Sequence, residues 1–140
     1  MNRITSIRKD WKLIESLIKE NRSILDIGCG DGMLMQQLEK NLNSRIHGIE
    51  LDRDLASKAI AKGFNVVHGD AEIDLSQYAN HSFDYAILSQ TLQAMMKPKE
   101  ILSELLRIGS KAIVSFPNFG HWKIRFQLLV SGKMPVTESL

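Results

Sequence analysis

The sequence predicts an α/β fold, a mostly parallel twisted sheet with helices on both faces. Three observations predict it. Short apolar runs of strand length alternate with segments of helical spacing along the chain. A glycine-rich turn, Gly28-Cys29-Gly30-Asp31-Gly32, joins the first such run to a helical segment. No repeat and no Pro/Gly/Ser-rich linker divides the 140 residues, so a single domain over residues 1–140 is expected.

The elements follow in order. Ile4, Ile7, Trp11, Ile14 and Ile18 recur in steps of 3, 4, 3 and 4, one face of an N-terminal helix over about 4–20. The core then runs from about 23 to 140. Ser23 to Ile27 reads as a buried strand that stops at glycines, and Met33, Leu34 and Leu38 have helical spacing. Ile46 to Leu51 reads as the second strand. Asp52 is placed to cap the next helix, which runs through Ala56 and Ile60 to a terminating Gly63. Phe64 to His68 and Phe83 to Leu88 read as strands three and four. Pro98 suits the first turn of a helix carrying Ile101, Leu105 and Leu106, with Gly109 ending it. Ala112 to Phe116 reads as strand five. Trp122, Phe126, Leu129 and Val130 predict a last helix that stops at Gly132.

Composition narrows the function classes. Hydrophobic residues make up 44% and charged residues 24%, an ordinary globular balance. A net charge of +2 is too small for nucleic acid or an anionic membrane to be the main partner. One cysteine, Cys29, excludes a disulfide framework and fits a reducing, cytoplasmic setting. No apolar run reaches the roughly 18 residues that cross a bilayer, and no Cys/His spacing points to a metal.

In open parallel sheets, ligands bind beyond the carboxyl ends of the strands, so the functional residues are sought there. The glycine loop follows a strand and opens a helix, where unpaired N–H groups suit a carboxylate or phosphate. The dinucleotide fingerprint G-x-G-x-x-G would need its third glycine at position 33, which is Met33. The spacing is instead G-x-G-x-G, Gly28, Gly30 and Gly32, preceded by Asp26. It resembles the S-adenosylmethionine (SAM) loop of class I methyltransferases. Glu50 lies at the end of strand two, 22 residues after Gly28, where a carboxylate accepts hydrogen bonds from both ribose hydroxyls. Asp70, in His68-Gly69-Asp70-Ala71, matches the methyltransferase acid that holds the adenine amino group. Ser89 and Gln90, after strand four, would face the methionyl group. With Cys29 in the loop and with Leu51 and Ala71 beside the two acids, these residues form the candidate site for SAM or S-adenosylhomocysteine. Each also has a plain structural reading: a ligand-free glycine turn, a small buried thiol at Cys29, a capping or surface acid at Glu50, a Gly-Asp turn at Asp70, ordinary loop polarity at Ser89 and Gln90.

Longer strings carry a closer likeness. Ser82-Phe83-Asp84-Tyr85 leading into Ile87-Leu88-Ser89-Gln90-Thr91-Leu92-Gln93-Ala94 resembles the MetW family of bacterial methionine-biosynthesis proteins. So do Ile113-Val114-Ser115-Phe116-Pro117-Asn118-Phe119-Gly120-His121-Trp122 and Gly132-Lys133-Met134-Pro135-Val136-Thr137. The resemblance runs from about Ile24 to the last residue. It implies a Rossmann-like class I methyltransferase fold and a role beside homoserine O-acetyltransferase. Members of the family continue past the Met-Pro-Val-Thr segment, and their full sheet has seven strands where five are counted here. The C-terminal strands are therefore expected to be missing, with the edge of strand five open to a partner or to self-association.

Two functions stand side by side at this point. One is an accessory or regulatory SAM-binding subunit of the acetyltransferase; the other is a catalytic SAM-dependent methyltransferase with a small-molecule acceptor. No Asn-Pro-Pro-Tyr or Asp-Pro-Pro-Tyr follows strand four, which removes the usual cue for methylating a nucleic-acid base. His121, after strand five, is a candidate catalytic base or ligand for a substrate carboxylate, with a helix-capping or loop-bracing role as its alternative. The aromatic segment Phe116 to Trp122 is read either as an interface anchor or as a brace for the pocket.

Overall fold

The structure is a computed structural model and describes residues 3–89, 91–118, 123–130 and 136–139. Helices α1 (Arg3–Ser16), α2 (Met33–Leu42), α3 (Arg53–Ala61), α4 (Ala71–Asp74) and α5 (Pro98–Ile108) alternate with strands β1 (Ser23–Ile27), β2 (Arg45–Glu50), β3 (Asn65–His68), β4 (Phe83–Ser89) and β5 (Gly109–Asn118). Two more strands follow, β6 (Lys123–Val130) and β7 (Val136–Ser139). The sheet order is β3-β2-β1-β4-β5-β6-β7, parallel through β5 and antiparallel at β6 and β7.

The central strands are apolar on both faces because both faces are covered. Along β4, Tyr85 and Ile87 pack with Ile14, Leu34, Met35 and Leu38 of α1 and α2. The alternate residues Ala86 and Leu88 pack with Ile101, Leu105 and Ile108 of α5. Local signals place the helix ends. Asp52 accepts a 3.0 Å hydrogen bond from the Leu55 amide, an N-cap for α3, and Pro98 opens α5.

The C-terminal region corrects the sequence reading twice. Residues 123–130 form β6, paired in register with β5 from Asn118↔Lys123 to Lys111↔Val130, and not a helix. In Lys-Ile-Arg-Phe-Gln-Leu-Leu-Val the apolar residues Ile124, Phe126, Leu128 and Val130 alternate, and this period of two prevails over the helical set that shares Phe126 and Val130. Among the described residues the sheet accordingly has seven strands, so the pair expected to be missing is present and β5 is not an edge. This removes the ground for self-association through that strand. The described edges are β7 and the four-residue β3, whose short, polar-ended sequence limits edge-to-edge pairing.

Candidate functional site

The sheet order turns back between β1 and β4, and a cavity of about 240 Å³ opens there at the carboxyl ends of the strands. Its wall joins Asp26, Gly28, Cys29, Gly30 and Asp31 from the first strand and loop, Ser89 and Thr91 from the end of β4, and Trp11 from α1. A larger hollow of about 1160 Å³ between α1 and α2 is an open groove over surface Lys, Glu and Gln side chains.

The loop's shape comes from its glycines. At Gly28, φ is 71°, and a Cβ would lie 3.2 Å from the Thr91 side chain, so only glycine lets the two segments approach. At Gly32 the left-handed N-cap of α2 has φ 87°, with the Phe64 ring 3.0 Å from where a Cβ would be. The loop's amides are largely committed. Gly28 and Cys29 donate to the Ile49 carbonyl, Gly32 to the Cys29 carbonyl, and Met33 to Asp31 Oδ1. Gly30 donates to Glu50 Oε1 at 2.7 Å, while Glu50 Oε2 accepts from the Asp52 amide at 2.9 Å. Glu50 thus ties the loop to the end of β2. The amides of Gly28, Cys29, Gly30, Gly32 and Met33 are bonded to protein acceptors.

The charge of the cavity is set by acids. Asp26 is 2% exposed. Burial pushes that carboxyl up to about 7, and the nearby Glu50 carboxylate adds to the effect. Among the described residues no Lys, Arg or His lines the cavity. Burial also pushes the Cys29 thiol up to about 12, with Asp26 and Glu50 contributing. Cys29 therefore stays a thiol, a packing piece and not a nucleophile. A pocket of this kind favours a cationic group and disfavours a pyrophosphate.

The other candidates lie outside the cavity. Leu51, 66% exposed, stands at the end of β2 as an apolar shelf. Asp70 caps α4, its Oδ1 accepting from the Glu72 amide at 2.9 Å, and Ala71 begins that helix. The Gly69 amide donates to the Glu50 carbonyl, which holds the β3 end beside the β2 end. Gln90, His121 and the aromatics Phe119 and Trp122 fall outside the described residues. Among the described residues no group of three or more His, Cys, Asp or Glu is placed to hold a metal.

Two residues were not legible in the sequence. Asp10 of α1 is fully buried, and its Oδ2 accepts hydrogen bonds from Ser115 Oγ at 2.8 Å and Ser89 Oγ at 3.2 Å. It fastens α1 across the ends of β4 and β5. Thr91 faces Gly28 across the cavity. Neither carries a spacing that marks it; both roles arise from tertiary placement.

Comparison with known proteins gives a consistent set. The family model described as "Methionine biosynthesis protein MetW" matches residues 8–140. A relative from Rhodopirellula baltica, "Bifunctional methionine biosynthesis protein MetXA/MetW", is 31% identical over 138 residues, covering 93% of this chain and 22% of that protein. An uncharacterized methyltransferase of Schizosaccharomyces pombe is 28% identical over 124 residues, covering 79% of this chain and 47% of its own. The chain thus spans about a fifth and about half of these two curated relatives. Among solved structures, Haemonchus contortus phosphoethanolamine N-methyltransferase 2 in complex with S-adenosyl-L-methionine superposes with TM-score 0.71 at 19% identity, over 81% of this chain and 29% of that one. The plantazolicin methyltransferase BamL in complex with a triazolic desmethylPZN analog and SAH gives TM-score 0.68 at 23% identity, over 81% and 46%. These structural likenesses show a shared Rossmann-like methyltransferase fold.

Proposed function

The chain belongs to the methionine biosynthesis protein MetW family, and on that premise we propose that it binds SAM at the β1–β4 cavity and serves homoserine O-acetyltransferase as an accessory subunit. The observation that carries the ligand assignment is the cavity wall, which among the described residues is acidic and holds no cation, beneath a glycine loop whose Gly28, Cys29 and Gly30 amides are bonded to protein acceptors. SAM carries an ammonium and a sulfonium and no phosphate, so it fits where a dinucleotide does not. The cavity is smaller than the roughly 300 Å³ at the low end of small-molecule sites, so it suits the methionyl tail alone. Asp26 would meet the tail's ammonium. Glu50, Leu51, Asp70 and Ala71, along the ends of β2 and β3, would hold the adenosine. Bound SAM would supply an activated methyl group and a measure of pathway product. The protein's own part is to orient the ligand and to differ in its contacts with and without it.

The experiment is calorimetry with SAM on the wild type and on Glu50→Ala. The variant loses the acceptor that pins Gly30 and the group assigned to the ribose, so its affinity falls by roughly tenfold or more, about 1–3 kcal/mol. Unchanged affinity removes Glu50 from the site, and binding of NAD in place of SAM overturns the cofactor.

The partnership is supported by the R. baltica relative, a single polypeptide named for both MetXA and MetW. Fusion joins proteins that work together at fixed stoichiometry. The chain is expected to co-elute with homoserine O-acetyltransferase in gel filtration, with SAM shifting the complex. Separate elution at micromolar concentrations, with and without SAM, speaks for the catalytic reading, in which SAM is converted to S-adenosylhomocysteine as a small acceptor is methylated. A cytoplasmic setting accords with the single thiol; among the described residues no helix is long and apolar enough to cross a membrane.

A further inference from the structure

We infer that Thr91 reads the amino-acid tail of the adenosyl ligand, its hydroxyl bonding that tail and not the nucleoside. The inference rests on the SAM reading above and adds a residue to it. Thr91 Oγ1 is buried and has no hydrogen-bond partner. A buried hydroxyl without a partner is costly, and such groups in native structures call for an explanation.

The surroundings supply one. Thr91 stands at the N-cap of the 3₁₀ turn Leu92–Ala94, where a threonine hydroxyl ordinarily accepts a backbone N–H. Here it makes no such bond, and the turn is closed by the Thr91 carbonyl, which accepts from the Ala94 amide at 3.0 Å. The hydroxyl instead lies 3.3 Å from the point a Cβ on Gly28 would occupy, on the cavity wall. Ser89 Oγ on the same wall donates to Asp10, and the loop amides of Gly28, Cys29 and Gly30 donate to Ile49 and Glu50. Among the described residues of the wall, Thr91 Oγ1 is the buried side-chain oxygen without a hydrogen-bond partner. Asp26 as a carboxylate can only accept, and so takes an ammonium. The Thr91 hydroxyl can also donate, and so can serve the neighbouring carboxylate of an α-amino acid. The nucleoside, assigned to the ends of β2 and β3, lies away from it.

The test compares ligands with and without the tail. Thr91→Val keeps the shape and removes the hydroxyl; Thr91→Ser keeps the hydroxyl. Each is titrated calorimetrically with SAM, with S-adenosylhomocysteine and with 5′-deoxy-5′-methylthioadenosine, which lacks the amino-acid group. Thr91→Val is expected to weaken the first two by about tenfold and the third by less than about twofold, and Thr91→Ser to stay within a few-fold of wild type on all three. Equal losses on all three ligands, or no loss on any, overturn the Thr91 assignment while the SAM reading stands. A wild-type chain that binds none of the three overturns the SAM reading itself, and this inference with it.

Discussion

Replacing Asp26 by Asn stabilises the protein at pH 8 and costs it its ligand. The carboxyl is 2% exposed, and its pKa is raised by burial and by Glu50 to about 7 from the ordinary 3.8. The unfolded chain releases this proton near pH 4 and the folded chain only near pH 7. Between those values the folded state holds more protons, so stability falls as pH climbs through that window and levels off above it. The difference of about 3 pH units corresponds to a burial cost of about 4 kcal/mol at high pH. Asn keeps the shape and has no charge to bury. Its advantage over wild type is expected to widen by about 3 kcal/mol between pH 5 and pH 8 in urea denaturation. An advantage that is the same at both pH values would show that Asp26 does not titrate in this range.

The same substitution reveals why a costly acid is kept. A cation in the cavity favours ionised Asp26, so binding near pH 7 releases a proton. SAM affinity is expected to rise with pH through that region, and the calorimetric heat to vary with the buffer's ionisation enthalpy. Asp26→Asn abolishes both behaviours and weakens SAM by tenfold or more. On the SAM reading, Asp26 would exchange stability for recognition.

What the sequence disclosed follows the range of its signals. β1 to β5, the Asp52 cap and the Pro98 start are local, and each is written in a few adjacent residues. The glycine loop was legible for the same reason: a strand must turn sharply into a helix, and Gly28 and Gly32 hold the positive φ values that turn needs. Residues 123–130 carry two periodicities at once, and pairing with β5, a long-range event, decides between them. The spent loop amides were likewise hidden, since Ile49 and Glu50 reach them from another strand. Thr91 stands in the sequence only within the string that follows strand four, and its closeness to Gly28 gives it a place.

Asp10 is the most distant of these relations, because 105 positions separate it from Ser115, and it sets the second large effect. Asp10→Ala removes the acceptor shared by two hydroxyls and empties part of a fully buried site. Ser89 and Ser115, 3.2 Å apart, can still bond each other, which limits the loss. A cost of about 2 kcal/mol is expected, lowering Tm by roughly 6 °C for a domain of this size. Because the carboxylate fastens α1 across the ends of β4 and β5, the loss is local as well as global. Amide exchange should accelerate in α1 well beyond its change in α5, which packs against the other face. Trp11, the next residue, covers the cavity, so SAM should dissociate faster from Asp10→Ala even at temperatures where the sheet is intact. A buried carboxylate also carries a desolvation cost that hydroxyl partners repay only in part. A rise in Tm on Asp10→Ala would show that this cost exceeds the worth of the two bonds, and that α1 is held by the packing of Trp11, Leu13, Ile14, Leu17 and Ile18.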